Sequence, residues 1–410
     1  MKADIDRLMA ARGFDAIVVV VDEFYSPYVD YLVGHAHITG GMIFKHWQND
    51  PVLVVNPMEV EEARASGYTV YTTADLGYAQ FIKEVEGDVL KANVALWGKC
   101  LEKFGIPNGR IGIYGVGSVE YYLELIRALE ATYPQHDFVG ESGTTLFDEA
   151  AFTKDDAELR RIQSVAERTS AVVRATWDFI AGHRAGDNDA VLKRDDTPLT
   201  IGEVKRFVRK ALMDRDLEDT GMIFAQGRDA GFPHSRGQDD QPLLQGESIV
   251  FDLFPRELGG GYYHDMTRTW CIGYAPDDVR EAYHHVMESF DVAVEMMVVG
   301  RPAREVQEAV QSYFEGRRHH TSRSHPGTSE GYVHSLGHGV GLNIHESYSM
   351  SHLNQNDKIE VGNMLTIEPG LYYPNRGFGV RIEDMVYVGK HGQLITLTDV
   401  PKDLILPLRG

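Results

Sequence analysis

Short runs of apolar residues alternate with helical patterns over the first 150 residues of the chain. The segments between the runs carry apolar residues at helical spacing, at 58–65, 81–104 and 119–131. The runs themselves have the length and composition of buried strands, and they cover 16–21, 51–55, 68–72 and 110–114. Strands that alternate with helices favour an α/β fold, so we expect an α/β domain over residues 1–150.

A second domain is expected over residues 151–410. Thr153 and Asp156 have the spacing of a helix capping box, and apolar residues then recur on one face as far as residue 181. Another capping box runs from Thr200 to Glu203 and predicts the start of a second helix.

The order helix, helix, hairpin occurs twice in this second domain. Two strands follow the first pair of helices, and a second pair of helices precedes two more strands. The predicted elements are helices at 154–181, from 200, at 277–298 and at 302–315, and strands at 248–254, 262–273, 363–373 and 379–389. We infer two related halves whose antiparallel sheets form one curved layer with helices against it. Residues 183–199 and 316–331 are predicted to be polar loops.

Acidic residues inside the predicted strands are the most informative feature of the chain. A carboxylate among apolar neighbours costs free energy to bury unless it is paired or binds a metal. Ion pairs or solvent-facing positions could account for any one of them. Four of them, two in each matching hairpin, favour a shared cationic partner: Asp252, Asp265, Glu368 and Glu383.

Histidines and glycines cluster between residues 334 and 346. His334, His338 and His345 lie within this segment, where glycines allow the backbone to approach a site closely. One histidine with four carboxylates suits Mn first, with Co, Zn or Fe as alternatives, and a bridging carboxylate can hold two ions. A glycine-rich turn with exposed histidines is the alternative reading. The more distal His319, His320 and His325 are predicted to be solvated.

Composition and charge exclude several other functions. The net charge of −21 argues against a nucleic-acid partner, because phosphates require a positive surface. The sequence also lacks a membrane-spanning apolar run, a GxGxxG fingerprint, an HExxH zinc helix and a GxSxG nucleophile elbow. Two separated cysteines and the absence of a signal-peptide pattern at the N-terminus favour the cytoplasm.

The sequence resembles the pita-bread metallopeptidases, and within them the Xaa-Pro aminopeptidase and prolidase branch. The resemblance covers essentially the whole chain and rests on four motifs in combination. These are Asp-Met-Thr-Arg-Thr from 265, His-Ser-Leu-Gly-His-Gly-Val-Gly-Leu from 334, Thr-Ile-Glu-Pro-Gly-Leu-Tyr from 366 and Val-Arg-Ile-Glu-Asp from 380. It implies an α+β pita-bread catalytic domain, preceded by a creatinase-like α/β domain.

The resemblance also implies roles for individual residues. Asp265 and Glu383 would bridge two metal ions, Asp252 would complete one ion, and His338 with Glu368 the other. His234 and His345 would contact the substrate and assist catalysis, with Glu368 handling protons. His334 would contact substrate on the primed side, and Arg381 would be tied to the metal site or to the substrate carboxyl end.

One motif departs from the family pattern. The family usually has Asp-Leu-Gly or Asp-Met-Gly at the first ligand, whereas Phe254 and Pro255 follow Asp252-Leu253 here, and 13 positions separate Asp252 from Asp265, more than is usual. The hairpin loop is therefore longer, which changes the neighbouring substrate pocket.

The resemblance implies an exopeptidase that hydrolyses the Xaa-Pro bond of dipeptides or at peptide N-termini with metal-activated water, acting as a homodimer. Two alternatives remain at this stage. One is a creatinase-like enzyme that hydrolyses another amide, and the other is a non-catalytic relative that binds peptides.

Overall fold

The computed structural model describes residues 4–34 and 36–410, which divide into two compact units on either side of residue 150. Each unit has its own buried apolar cluster. None of the described helices combines the length and apolar character that a membrane span requires.

The described part of the first unit contains one six-stranded sheet in the order β4-β3-β2-β1-β5-β6. The strands are β1 (Ala16–Val21), β2 (Gly41–His46), β3 (Val52–Val55), β4 (Thr69–Thr72), β5 (Arg110–Gly115) and β6 (Asp137–Val139). The helices are α1 (Asp4–Arg12), α2 (Pro27–Val33), α3 (Val60–Arg64), α4 (Tyr78–Glu84), α5 (Val89–Lys103), α6 (Val119–Thr132) and α7 (Leu146–Ala151). β2 runs antiparallel to both of its neighbours, whereas the β3–β4, β1–β5 and β5–β6 pairs are parallel.

The single helix predicted at 81–104 is wrong, because two helices occupy this segment. Between them Glu86 and Gly87 have positive φ angles of 54° and 90°, which a continuing helix cannot accommodate. The side chain of Asp88 then caps the new helix by accepting a hydrogen bond from the Lys91 amide at 3.1 Å.

The second unit contains the repeated order that the sequence predicts. Its helices are α8 (Asp156–Ala181), α9 (Ile201–Met213), α10 (Asp277–Met296) and α11 (Ala303–Gly316). Its strands are β7 (Arg184–Ala185), β8 (Val191–Leu192), β9 (Leu217–Glu218), β10 (Ile223–Gln226), β11 (Ser248–Leu253), β12 (Arg256–Glu257), β13 (Met266–Ile272), β14 (His338–Gly339), β15 (Glu346–Ser349), β16 (Met364–Ile367), β17 (Gly370–Tyr373), β18 (Phe378–Arg381), β19 (Asp384–Val388), β20 (Leu394–Thr396) and β21 (Ile405–Leu406).

Two larger sheets carry the hairpins of the two halves. The first has the order β10-β11-β13-β21 and the second the order β15-β14-β16-β19-β20. β17 and β18 form a separate antiparallel pair. A bridge between Thr267 and Glu383 links the two halves at the end of β18, so the two hairpins meet there.

The capping box at Thr200 is confirmed, whereas the one predicted at Thr153 is wrong. The box that starts α8 is formed by Asp155 and Glu158. The Asp155 carboxylate accepts from the Glu158 amide at 2.9 Å, and the Glu158 carboxylate accepts from the Asp155 amide at 3.0 Å. Because the capping box starts at Asp155 and not at Thr153, Lys154 lies outside the helix.

The strands predicted at 363–373 and 379–389 are each broken in two. Pro369 lies between β16 and β17 and has no amide hydrogen, so it cannot continue the ladder of strand hydrogen bonds from one to the other. The amide of Glu368 instead donates to the Leu336 carbonyl at 2.8 Å, and the amide of Glu383 donates to the Thr267 carbonyl at 3.0 Å. Both acidic residues therefore lie at the break. Of the four carboxylates predicted within strands, only Asp252 is inside one, since β13 begins after Asp265.

The prediction of a solvated His319 is wrong. The ring of His319 is half-buried and lies between His285 and Tyr373, with N–N and N–O distances of 2.9 and 2.5 Å. Burial, together with repulsion from His285, lowers its pKa to about 4. His320 and His325 are exposed, and their rings stack at 3.7 Å. The predicted polar loop at 183–199 contains the short β7–β8 pair, in which Val191 is buried.

The lowered pKa of His319 predicts a pH-dependent loss of stability. The neutral ring is favoured in the folded chain, so its contribution is complete above an unfolded-state pKa of about 6.5. That contribution should be lost as pH falls from about 6.5 towards 4. In urea denaturation, we expect the unfolding free energy of His319→Phe to fall less over this range than that of the unsubstituted protein. Parallel pH profiles for the two proteins would contradict this assignment.

Candidate metal centre

The five residues predicted as metal ligands come from separate elements of the second unit. Asp252 lies in β11 and Asp265 directly precedes β13, so both belong to the first hairpin. Glu368 and Glu383 lie at the break in the second hairpin. His338 begins β14, next to Gly337, where an added Cβ would lie 2.1 Å from the Thr366 carbonyl oxygen. Glycine there lets the histidine segment pack directly on β16.

The structure brings four of these side chains to one point. Ligand atoms of Asp265, His338 and Glu383 all lie within 4.8 Å of one another. The Nε2 atom of His338 is 3.5 Å from Asp265 Oδ2 and 3.6 Å from Glu368 Oε1. Its Nδ1 atom is 3.1 Å from the Gly339 carbonyl oxygen, which favours a proton on Nδ1 and a free electron pair on Nε2.

Asp252 joins the cluster through Arg381. The Nη2 atom of Arg381 donates to Asp252 Oδ2 at 2.7 Å, and its Nε atom donates to the Thr267 hydroxyl at 3.0 Å. The same hydroxyl donates to Glu383 Oε2 at 2.8 Å. Arg381 therefore fixes one carboxylate oxygen of Asp252, and Thr267 fixes one carboxylate oxygen of Glu383.

Burial and mutual repulsion dominate the electrostatics of the cluster. Burial, strengthened by repulsion from neighbouring carboxylates, raises the pKa of Asp265 and of Glu383 well above the ordinary value. For Glu368, burial raises the pKa to about 8, although Arg381 opposes the shift. Burial likewise raises the pKa of Asp252. One guanidinium cannot balance three buried carboxylates and the partly buried Glu368, so the site favours additional positive charge.

The free atoms of the site fit divalent cations. One carboxylate oxygen each of Asp252, Asp265 and Glu383 is buried with no hydrogen-bond partner among the described residues. A buried anionic oxygen without a partner is costly, and a metal ion would satisfy it. Oxygen donors with one imidazole nitrogen form a hard-to-borderline ligand set.

The other predicted site residues surround this cluster. The ring of His345 packs edge-on against His338 at 4.3 Å between centroids, and its side chain is exposed. Nε2 of His334 is 2.8 Å from the Tyr372 hydroxyl, to which Arg381 also donates at 2.9 Å. His234 is exposed. Burial lowers the pKa of His334 and of His345, and the nearby His234 adds to both shifts.

Sequence reasoning missed two hydroxyl groups of this site. Thr267 connects Glu383 to Arg381, and Tyr372 connects Arg381 to His334. Both belong to motifs that carry the family resemblance, but an alternating strand pattern does not distinguish a functional hydroxyl from a packed one. Arg381 also donates to the carbonyl of Pro233, the residue before His234.

Comparison with known proteins agrees with the geometry. Residues 160–390 match the model of metallopeptidase family M24. YkvY of Bacillus subtilis, which its name assigns to the dipeptidases, is 26% identical over 386 residues, with 92% of this chain and 93% of that protein covered. The Xaa-Pro dipeptidase of Pyrococcus furiosus is 34% identical over 187 residues, covering 45% of this chain and 48% of that enzyme.

A solved structure supports the fold over the whole chain. The X-Pro aminopeptidase from Thermotoga maritima has a TM-score of 0.75 at 22% identity, and 98% of this chain and 100% of that chain are covered. The predicted fold, a pita-bread domain preceded by an α/β domain, is thereby confirmed. The family match spans more than half of the chain and includes every predicted metal ligand. This chain belongs to metallopeptidase family M24, whose members use divalent metal ions to hydrolyse peptides.

Proposed function

We propose that this chain is a two-metal exopeptidase that hydrolyses the Xaa-Pro bond of dipeptides or at the N-terminus of short peptides. The main support is the largely buried cluster of four carboxylates and His338, for which Arg381 is the one balancing cation among the contacting side chains that the structure describes. Such a cluster is stable only with further positive charge. The proline preference is supported by the names of the relatives.

Two divalent ions would be shared among the five ligands. Asp265 and Glu383 would contact both ions, because each lies in the group of atoms within 4.8 Å and has one oxygen without a partner. His338 and Glu368 would complete one ion, and Asp252 the other. The oxygen-rich ligand set favours Mn, with Co, Zn and Fe as alternatives.

Bound in this way, the ions would lower the pKa of a water molecule towards neutrality and polarise the scissile carbonyl. Glu368 would accept the proton of that water and deliver it to the leaving nitrogen, since its largely buried carboxylate has a raised pKa. The exposed His345 and His234 would donate hydrogen bonds to the charge that develops on the substrate. Arg381 would orient Asp252, and His334 would contact the residue after the scissile bond.

The proposed assembly is a homodimer in the cytoplasm. The reduced cysteines support this compartment, because Cys100 and Cys271 are both buried and free. The homodimer rests on resemblance to the prolidase branch. Sedimentation of the protein at several concentrations would test it.

The proposed activity predicts that metal removal abolishes hydrolysis. Chelated protein should lose at least about 100-fold in rate on Ala-Pro or Ala-Pro-Ala, and added Mn should restore it. The rates would be measured for both peptides, with Ala-Ala as the matched substrate without proline. Restored cleavage of Ala-Pro alone indicates a dipeptidase, and cleavage of Ala-Pro-Ala indicates an aminopeptidase. Bound metal without cleavage of either proline peptide would overturn the proposed specificity.

A further inference from the structure

A buried ion pair packs against the segment that carries His338 and His345. Lys154 Nζ donates to Glu346 Oε2 at 2.6 Å, and the two side chains are 1% and 5% exposed. Lys154 also donates to the Ala151 carbonyl, and its amide donates to the Gly362 carbonyl at 2.8 Å. Three hydrogen bonds therefore fix Lys154, which precedes the first residue of α8.

Glu346 lies next to the positions of both histidines. It begins β15, directly after His345, and pairs with Gly339, directly after His338. Gly339 pairs with Glu346 but His338 pairs with Ser349, so the register shifts here and the two extra residues, Ser347 and Tyr348, lie on β15. Such an irregularity interrupts the regular pairing of the strands beside His338. Glu346 is therefore the chain neighbour of His345 and the strand partner of the residue after His338.

The ion pair also occupies the space beside Gly341. A Cβ at this position would lie 2.0 Å from Glu346 Oε1 and 2.8 Å from Lys154 Cε. The carbonyl of Gly341 accepts from the Tyr263 amide at 2.9 Å, two residues before Asp265. Backbone from His338 to Gly341 is thus packed between the ion pair on one side and the chain leading to Asp265 on the other.

We propose that Lys154 and Glu346 are positioning residues that set the His338 and His345 side chains for metal binding and hydrolysis. They act through the backbone of the histidine segment, because Glu346 directly follows His345 and pairs with Gly339. A buried charge pair has a directional, fixed geometry, whereas apolar side chains of the same volume could shift relative to each other. This inference rests on the proposed function and extends it to residues outside the ligand set.

The test replaces the pair without leaving a buried charge unpaired. The double variant Lys154→Met/Glu346→Leu keeps similar volumes, and such exchanges often leave stability unchanged. We expect its melting temperature to stay within a few degrees of the parent value, while Mn affinity, measured by calorimetry, weakens about 10–100-fold. The loss should be larger for the ion that His338 holds. kcat should fall about 10-fold or more, with KM little changed.

Two further variants keep the test decisive. Lys45→Met/Asp6→Leu is the control: Lys45 is a buried lysine of the first unit paired at 2.5 Å with Asp6, whose side chain is 42% exposed, and this exchange should leave Mn affinity unchanged. If the first double variant does not fold, Gly341→Ala displaces the ion pair with one methyl group and should weaken Mn in the same way. Parent-like Mn affinity and kcat in whichever of the two variants folds would overturn the positioning role.

Metal binding separates this inference from the proposed activity. If the parent binds Mn but cleaves no Xaa-Pro peptide, the proposed substrate is wrong, and the Mn affinities of the variants still test the ion pair. The visible absorption of the Co-substituted proteins provides a second readout, since a displaced His338 changes the ligand geometry. Identical spectra for parent and double variant would contradict the proposal.

Discussion

Replacing Asp265 with asparagine is expected to lower kcat/KM by about 10³-fold or more, equivalent to about 4 kcal/mol of transition-state stabilisation. Asparagine has almost the same shape but no charge, so it cannot serve as an anionic bridge between two cations. The fold should be retained, because the substitution also removes repulsion between Asp265 and its acidic neighbours. Peptide hydrolysis and metal content would be measured on the same preparation, and fewer than two ions per chain are expected.

A matched control is Asp291→Asn, because Asp291 is exposed on α10. This variant should keep both the metal content and the activity of the parent protein. Folded Asp265→Asn protein with parent-like turnover at full metal occupancy would refute the bridging role assigned to Asp265.

Replacing Arg268 with methionine is expected to lower the unfolding free energy by about 3–5 kcal/mol. The guanidinium is 1% exposed and donates to the Asp384 carboxylate at 2.8 Å. It also donates to the carbonyls of Thr267, Glu383, Val400 and Pro401 at 2.7–3.1 Å. Methionine would remove all of these hydrogen bonds, although the Thr267 carbonyl keeps the Glu383 amide and Asp384 keeps Lys402 as donors. Because two of the carbonyls belong to residues of the metal centre, metal affinity should fall as well.

Urea denaturation of the metal-loaded proteins would measure the effect. Arg160→Met is the control, because Arg160 is exposed on α8 and its replacement should change stability by no more than about 0.5 kcal/mol. Lys402 also contacts Asp384, so the carboxylate keeps one cation in the variant. A loss below about 1 kcal/mol would mean that water or Lys402 replaces the guanidinium.

The strands of the first unit differ in how well the sequence pattern predicts them. All six residues of β1 are apolar and buried, so its pattern predicts the observed bounds. β2 was not predicted, because it contains Lys45, which is buried only by virtue of its pairing with Asp6. That partner lies 39 positions away, and no local pattern reveals it.

At the candidate site, too, some features are predictable from the sequence and others are not. Acidic residues among apolar neighbours are unusual enough to indicate Asp252, Asp265, Glu368 and Glu383, and the assigned metal roles remain predictions. The contacts of Thr267, Tyr372 and Glu346 were not predictable, because a buried hydroxyl or carboxylate acquires its role only from partners distant in sequence. The broken second hairpin was likewise missed, although Pro369 stands in the motif.

The hydrogen bonds from the Glu368 amide to Leu336 and from the Glu383 amide to Thr267 also constrain the order of folding. The Thr267 and Glu383 side chains meet across 116 positions of sequence, so a long loop must close before the ligands share one site. Contacts of this separation form slowly and late. The proposed ions would therefore bind a domain whose halves have already joined, and would stabilise that joined state by mass action. In kinetic terms, metal should slow unfolding far more than it speeds folding.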